Sequence, residues 1–322
     1  MSPLPSSGSS SRVTAMNNAR VILSCVMLLL LAPIGSGCSR NLPRLSPPQL
    51  EAINHNMRGI KAEARGNHEL ALEEFGESLR MNGALDNTEG MIVALVNISR
   101  VNRRGGDTKA AQEAIDRAVE LVAPASDIFP EVAFEKSSVA MQANNLPVAQ
   151  DWALKAVSTA ADGRKAAATN LLARILHRER QSDAARTQAE QALSLSRTNN
   201  QPEEEANALR LLGSVHREAK RATEALDAYR KALDLDKSLG KSRQIAADLR
   251  GIADTYASVG KDRDAVSFYR RAQSVSQNGG DRVAAAEDLL RLAQLHEKMG
   301  EKERSLQLME ERETLLQQAH ER

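Results

Sequence analysis

Aromatic residues are scarce: one tryptophan, three tyrosines and four phenylalanines make up 2% of 322 residues, while hydrophobic residues together reach 42%. A core of that composition is built from alanine, leucine and other aliphatics. It suits closely approaching helices and argues against sheets, which favour aromatic and β-branched side chains. Cysteine is nearly absent as well. Cys25 lies in an apolar run that reads as a removable leader, so Cys38 alone survives and no internal disulfide can close. Charge of one sign is also lacking. The 43 basic and 42 acidic residues leave a formal +1, and removal of Arg12 and Arg20 with a leader moves the rest to −1. Such a balance exerts no general pull on nucleic acid. The apolar run at residues 21–34 is long enough for a secretory signal but short of the roughly 20 residues of a comfortable membrane span.

Signatures of reaction chemistry are missing too. The chain has no H-E-x-x-H, no G-x-x-x-x-G-K-[ST], no C-x-x-C and no G-x-S-x-G. Gly105-Gly106-Asp107 and Gly279-Gly280-Asp281 are glycine-rich, but both fall where turns between helices are expected. The six histidines are scattered, and packing accounts for His216 and His296 better than catalysis does. No catalytic residue, cofactor or metal site is therefore assigned.

What the chain does have is a repeat. Gly213, Ala225, Tyr229 and Ala232 recur as Ala253, Ala265, Tyr269 and Ala272, every landmark displaced by 40 residues. A shift common to all landmarks marks a repeat array, which grows by stacking rather than by adding domains. Within a copy, the first landmark lies on one helix. The others follow at offsets of 12, 16 and 19, which are i, i+4 and i+7 of a second helix and so form one stripe. Small residues there let helices approach, and the large one fills the gap to the neighbouring pair.

The same template gives Gly59, Ala71, Phe75 and Ser78 for a first copy, and Ser99, Ala111, Ile115 and Ala118 for a second. Ser137, Ala149, Ala153 and Ala156 form a third, and Ala173, Ala185, Ala189 and Ala192 a fourth, both with alanine where bulk is wanted. A seventh, Ala293, Ser305, Met309 and Arg312, ends the series with a polar tail suited to capping the stack. Leu209, Leu212 and Gly213 stand where the tetratricopeptide repeat has W-x-x-L-G, and Ala225 and Tyr229 where it has A-x-x-x-F. The chain resembles that family. The resemblance implies an all-α fold, a tetratricopeptide-repeat α-solenoid of about seven helical hairpins forming a curved superhelix. A plain helical bundle is the competing reading.

The front end resembles a bacterial lipoprotein signal: Arg20, the apolar run, then Gly35-Ser36-Gly37 before Cys38, with Gly35 where that family usually has Leu. The resemblance implies cleavage after residue 37, lipid on Cys38 and, from Ser39, delivery to an outer membrane facing the periplasm. A secretory signal with a chance cysteine, giving a secreted or periplasmic protein, and an uncleaved anchor are the alternatives. Translation can also start at Met16. The expected organisation is a signal peptide at 1–37, a lipid-anchored tether at 38–48, with Ser46 and two prolines opening a helix, and the repeat array with a C-terminal capping helix at 49–322.

In the family, first helices line a concave groove that accepts peptides or helices of other proteins. Transferring that geometry places Arg100, Arg103, Asn170, Arg174, Asn207, Arg210, Arg217, Arg250 and Asp254 in a peptide-binding groove. Clustered Arg with Asn can hold a peptide's carboxylates by forked hydrogen bonds. A solvated helix face with compensating charges is the plainer reading of the same residues. The functional expectation is a non-catalytic scaffold for protein–protein interaction, an envelope lipoprotein that recruits or orders partners of a periplasmic or outer-membrane complex. The alternative is a regulatory sensor whose array binds a peptide and changes curvature. Neither the partner nor an oligomeric state follows from the sequence.

Overall fold

The computed structural model describes residues 45–320, so the leader, Cys38 and most of the tether lie outside the described residues. Fourteen helices and no strand are found among the described residues, and the helices pair into seven hairpins. In order they are α1 Pro47–Ala64 with α2 His68–Ala84, α3 Thr88–Gly105 with α4 Thr108–Leu121, α5 Phe129–Gln142 with α6 Leu146–Thr159, and α7 Asp162–Arg178 with α8 Ser182–Thr198. The last three pairs are α9 Pro202–Glu218 with α10 Ala222–Leu239, α11 Ser242–Ser258 with α12 Asp262–Asn278, and α13 Arg282–Lys298 with α14 Lys302–His320.

Local chemistry sets the helix ends. Ser46 opens α1 with a capping box: its hydroxyl accepts from the Gln49 amide at 3.4 Å, and the Gln49 side chain accepts from the Ser46 amide at 2.8 Å. Asn67, Asn87, Asp107, Asn145 and Asp281 each accept the N–H of the third residue of the helix that follows. Every turn inside a hairpin holds one residue in the left-handed region. Glycine supplies it at Gly66, Gly106, Gly260 and Gly300, and Asn144 does so at φ 59°. At the equivalent turns of the fourth and fifth hairpins the residue is Arg180 (φ 63°) or Lys220 (φ 59°).

The landmark residues meet at the helix crossings. Ala71, Ala111, Ala149, Ala185, Ala225 and Ala265 are all fully buried. The offset of 12 appears as a bond: the Ser99 hydroxyl donates to the Ala111 carbonyl at 2.9 Å, and that of Ser137 to the Ala149 carbonyl at 2.7 Å. Tyr229 is wedged between two glycines; a Cβ on Gly213 would sit 2.9 Å from its ring and one on Gly251 2.3 Å away. Where the large position holds Ala153, Leu172, Ile175 and Leu176 of α7 supply the bulk, and Leu211 and Leu212 of α9 do the same around Ala189. Volume is conserved across the crossing although its donor changes, which is what close packing requires.

Each first helix packs on its own partner and on the second helix of the preceding hairpin. Successive first helices α1, α3, α5, α7, α9 and α11 also touch one another, and the second helices do so far less. The array therefore bends toward its first helices, which line the inner face of a curved solenoid. The plain bundle is set aside by this repeated stacking.

Candidate functional site

Side chains of α7, α9 and α11 surround a cavity of about 480 Å³ on the inner face. Arg174, Asn207, Arg210, Arg217, Arg250 and Asp254, all singled out from the sequence, line it together with His177, Arg178 and the Tyr229 ring. A second cavity of about 410 Å³ lies between α1, α3 and α5, where Ile60, Val93 and Val96 meet Arg100, Glu89, Asp127 and Glu131. Asn170 is buried beside the first cavity, and its amide donates to the carbonyl and the carboxylate of Glu204 at 2.9 and 2.8 Å. Arg103 lines neither cavity and is bonded to Glu135.

Several of these arginines are already held. Arg210 Nε donates to Asp248 at 2.6 Å, Nη1 to Asn207 at 2.9 Å, and Nη2 to Asp236. Forty residues on, Arg250 Nε donates to Asp288 at 2.6 Å and its Nη2 to Ser276 at 2.8 Å. Arg103 grips Glu135 with two bonds of 2.7 and 3.0 Å, and Arg100 reaches Glu131 at 2.9 Å. The acids Glu135, Asp236, Asp248 and Asp288 are all but inaccessible to solvent. A buried carboxylate without its cation is costly, so Arg103–Glu135, Arg210–Asp248 and Arg250–Asp288 each tie one hairpin to the next, while Arg210–Asp236 ties α9 to α10 within the fifth.

Electrostatics distinguishes the joints. Burial pushes Asp248 up to about 7; Arg210 opposes the rise and the facing Asp236 adds to it. Asp288 is raised chiefly by burial, with Arg250 and Ser276 working against it. The Tyr269 hydroxyl is pushed up by burial and by Asp254, to which it donates. Arg174 has an open face to water but lies inside the curve of the array. Its enclosure lowers its pKa, and the positive charge of Arg103 adds to the effect.

The acid partners Glu135, Asp236, Asp248 and Asp288 were not picked out from the sequence. A signal for two of them exists: Asp248 and Asp288 repeat at 40, each 38 residues after its arginine. His177 falls on an inner-face position of its copy and Arg178 one residue beyond it, and both line the cavity although neither is among the groove residues expected from the sequence. Among the described residues no group of three or more His, Cys, Asp or Glu is placed to hold a metal ion, and no helix is long and apolar enough to cross a membrane. What the inner face offers chemically is an open concave surface with guanidinium, amide and hydroxyl groups.

Comparison with known proteins agrees with this architecture. The family model described as Tetratricopeptide repeat matches residues 204–278, the fifth and sixth hairpins. No curated protein matches the sequence. Among solved structures, a Rap protein complexed with Competence and Sporulation Factor superposes with a TM-score of 0.66 at 14% identity, over 84% of this chain and 77% of that one. NprR in complex with its cognate peptide NprX gives 0.57 at 14% identity, covering 81% and 77%. PilW, described as a type IV pilus biogenesis factor, gives 0.54 at 13% identity, covering 69% and 92%. The likeness is one of fold: this chain is an all-α solenoid of the kind tetratricopeptide repeats build, with the repeat itself matched at residues 204–278.

Proposed function

We propose that the array is a non-catalytic binding scaffold whose inner groove holds a segment of another protein. The observation that carries this is the groove itself, which runs along successive first helices and opens into two cavities lined by hydrogen-bonding side chains. Two of the similar folds above were solved with a bound factor or peptide, which supports the reading without deciding the ligand.

The finer proposal is an envelope lipoprotein. The order of Arg20, apolar run, Gly35-Ser36-Gly37 and Cys38 supports lipidation at Cys38 and an outer-membrane position facing the periplasm. At roughly 0.8 kcal/mol per buried methylene, two or more acyl chains hold a protein firmly to a bilayer. The partners would then be proteins of a periplasmic or outer-membrane complex.

Two experiments test these statements separately. Crosslinking in the native host followed by identification of captured proteins should return a reproducible partner from the wild-type chain; none would end the scaffold reading. Radiolabelled palmitate should enter the wild-type chain and not Cys38→Ala; equal labelling would end the lipidation reading. A second reading, the regulatory sensor, is favoured by the ion-pair joints directly beneath the groove, since strain on Arg210 or Arg250 would alter stacking. A change in radius of gyration on peptide binding would distinguish it from a static scaffold.

A further inference from the structure

We propose that the chain self-associates through α1, whose exposed apolar seam pairs antiparallel with the same seam of a second copy. The contact joins two arrays at the N-terminal end of the stack.

Leu50 is 47% exposed, Ile53 44%, Met57 47% and Ile60 48%. Among the described residues no other helix leaves more than one large hydrophobic side chain exposed. At about 100° per residue these four fall within roughly 80° of the helix surface, and exposed Ala64 lies among them. Ile60 also borders the second cavity; the other three do not. The residues that meet α2 lie on the other side of the helix. Gly59 sits against the Phe75 ring, Ala62 clusters with Ala71 and Phe75, and the Ala52 carbonyl accepts the Ser78 hydroxyl.

Stacking of hairpins does not require this seam. On α9, an internal first helix, the same four positions hold Glu204, Asn207, Leu211 and Ser214. The face on which an earlier hairpin would stack is finished with polar groups: exposed Asn54, Arg58 and Lys61 stand where α9 buries Ala208, Leu212 and Val215. A terminal repeat needs such a face. α1 therefore closes the stack on one side and leaves apolar surface on the next.

Three properties make a second copy the occupant. Steps of 3, 4 and 3 residues are those of alternating a and d positions, a seam narrower than the stripe of a surface helix and suited to one facing helix. The seam is also self-complementary. In an antiparallel pair Leu50 meets Ile60 of the other copy, and Ile53 meets Met57. Charge permits the pairing as well: Asn54 and Asn56 border the middle of the seam, so neutral amides meet across the two-fold axis, while Lys61 and Arg65 at one end stay apart from their copies. The far end of the array offers no matching seam. Leu306 of α14 is exposed alone, with Glu303, Glu310 and Glu313 at i−3, i+4 and i+7, which favours a closed two-fold dimer over a head-to-tail filament. With 18 residues α1 is about 27 Å long, so a contact limited to it buries less than the roughly 1,200 Å² of a standard interface, and the dimer belongs in the micromolar range.

Sedimentation velocity on the full-length chain across that range, with circular dichroism to follow folding, tests the pairing. The wild type is expected to pass from monomer to dimer as concentration rises. Ile53→Glu and Met57→Lys, both at exposed sites, should each weaken dimerisation tenfold or more with helix content unchanged. Mixed in equal amounts they should restore it, because antiparallel pairing sets Ile53 of one copy against Met57 of the other. Leu306→Lys with Glu310→Lys at the far end should leave it unchanged. A wild-type chain that stays monomeric, seam variants that dimerise like the wild type, a mixture that stays monomeric, or loss of the dimer in the α14 variant each overturns the proposal. If Ile53→Glu instead abolishes binding of a monomeric chain to phospholipid vesicles, or capture of a partner in the host crosslinking, the seam serves a membrane or another protein and the second copy is refuted.

Discussion

Asp236→Ser is the substitution that most directly probes how the array is held together. Arg210 faces two buried carboxylates, Asp236 on α10 and Asp248 on α11, whereas the equivalent Arg250 faces Ser276 and Asp288. In the fold Asp248 sits at about 7 against an ordinary 3.8, a rise led by burial and reinforced by Asp236. A rise of that size is worth on the order of a few kcal/mol of stability. The sign follows from proton counts. Between pH 4 and 7 the folded chain keeps a proton that the unfolded chain has released, so stability falls as pH rises through this window and levels off above 7. Replacing Asp236 by serine removes the like charge and supplies a hydroxyl acceptor, as Ser276 does under Arg250. Burial still raises Asp248, so only part of the shift disappears. The pH-dependent loss of stability between pH 5 and 8 should shrink by about 1–2 kcal/mol, with the variant at least as stable as the parent at pH 8. Urea midpoints by circular dichroism across that range give the magnitude. Amide exchange in α10 and α11 localises it, because a long array need not unfold in one step. Parallel pH curves for parent and variant, or a variant weaker at pH 8, would refute the role given to Asp236 in raising Asp248.

Other perturbations follow from the same geometry. Glu135→Ala strands Arg103 beside a buried vacancy and should cost about 3–5 kcal/mol, seen as a large drop in melting temperature. Gly251→Ala drives a Cβ into the Tyr229 ring and should cost about 1–3 kcal/mol, while Gly76→Ala, with open space around it in α2, should stabilise by about 0.5–1 kcal/mol. Arg180→Gly and Lys220→Gly relieve left-handed backbone at two turns, and each should raise stability by about 0.5–1 kcal/mol in thermal unfolding.

Much of the fold was legible because the repeat constrains residue size at fixed offsets. Phe75 against Gly59 and Tyr229 against Gly213 follow from the template, and both contacts are present. Turns at Gly106 and Asn144 were legible from residue type. Those at Arg180 and Lys220 were visible only through register, since neither side chain favours a positive φ. Ala153 and Ala189 left the large position empty on paper. Their filling by α7 and α9 depends on how adjacent hairpins lean together.

The groove divides in the same way. The sequence alone determined that first helices repeat, that arginines recur at Arg210 and Arg250, and that the core is aliphatic and small. Those properties are periodic along the chain, so one dimension is enough to see them. Which guanidiniums are held by buried carboxylates was decided by tertiary structure. Asp236 and Asp248 lie 26 and 38 residues from Arg210 and meet it only because α10 and α11 pack against α9. Charge pairing across stacked helices depends on the stagger between them, and that stagger is set by packing of side chains from separate hairpins.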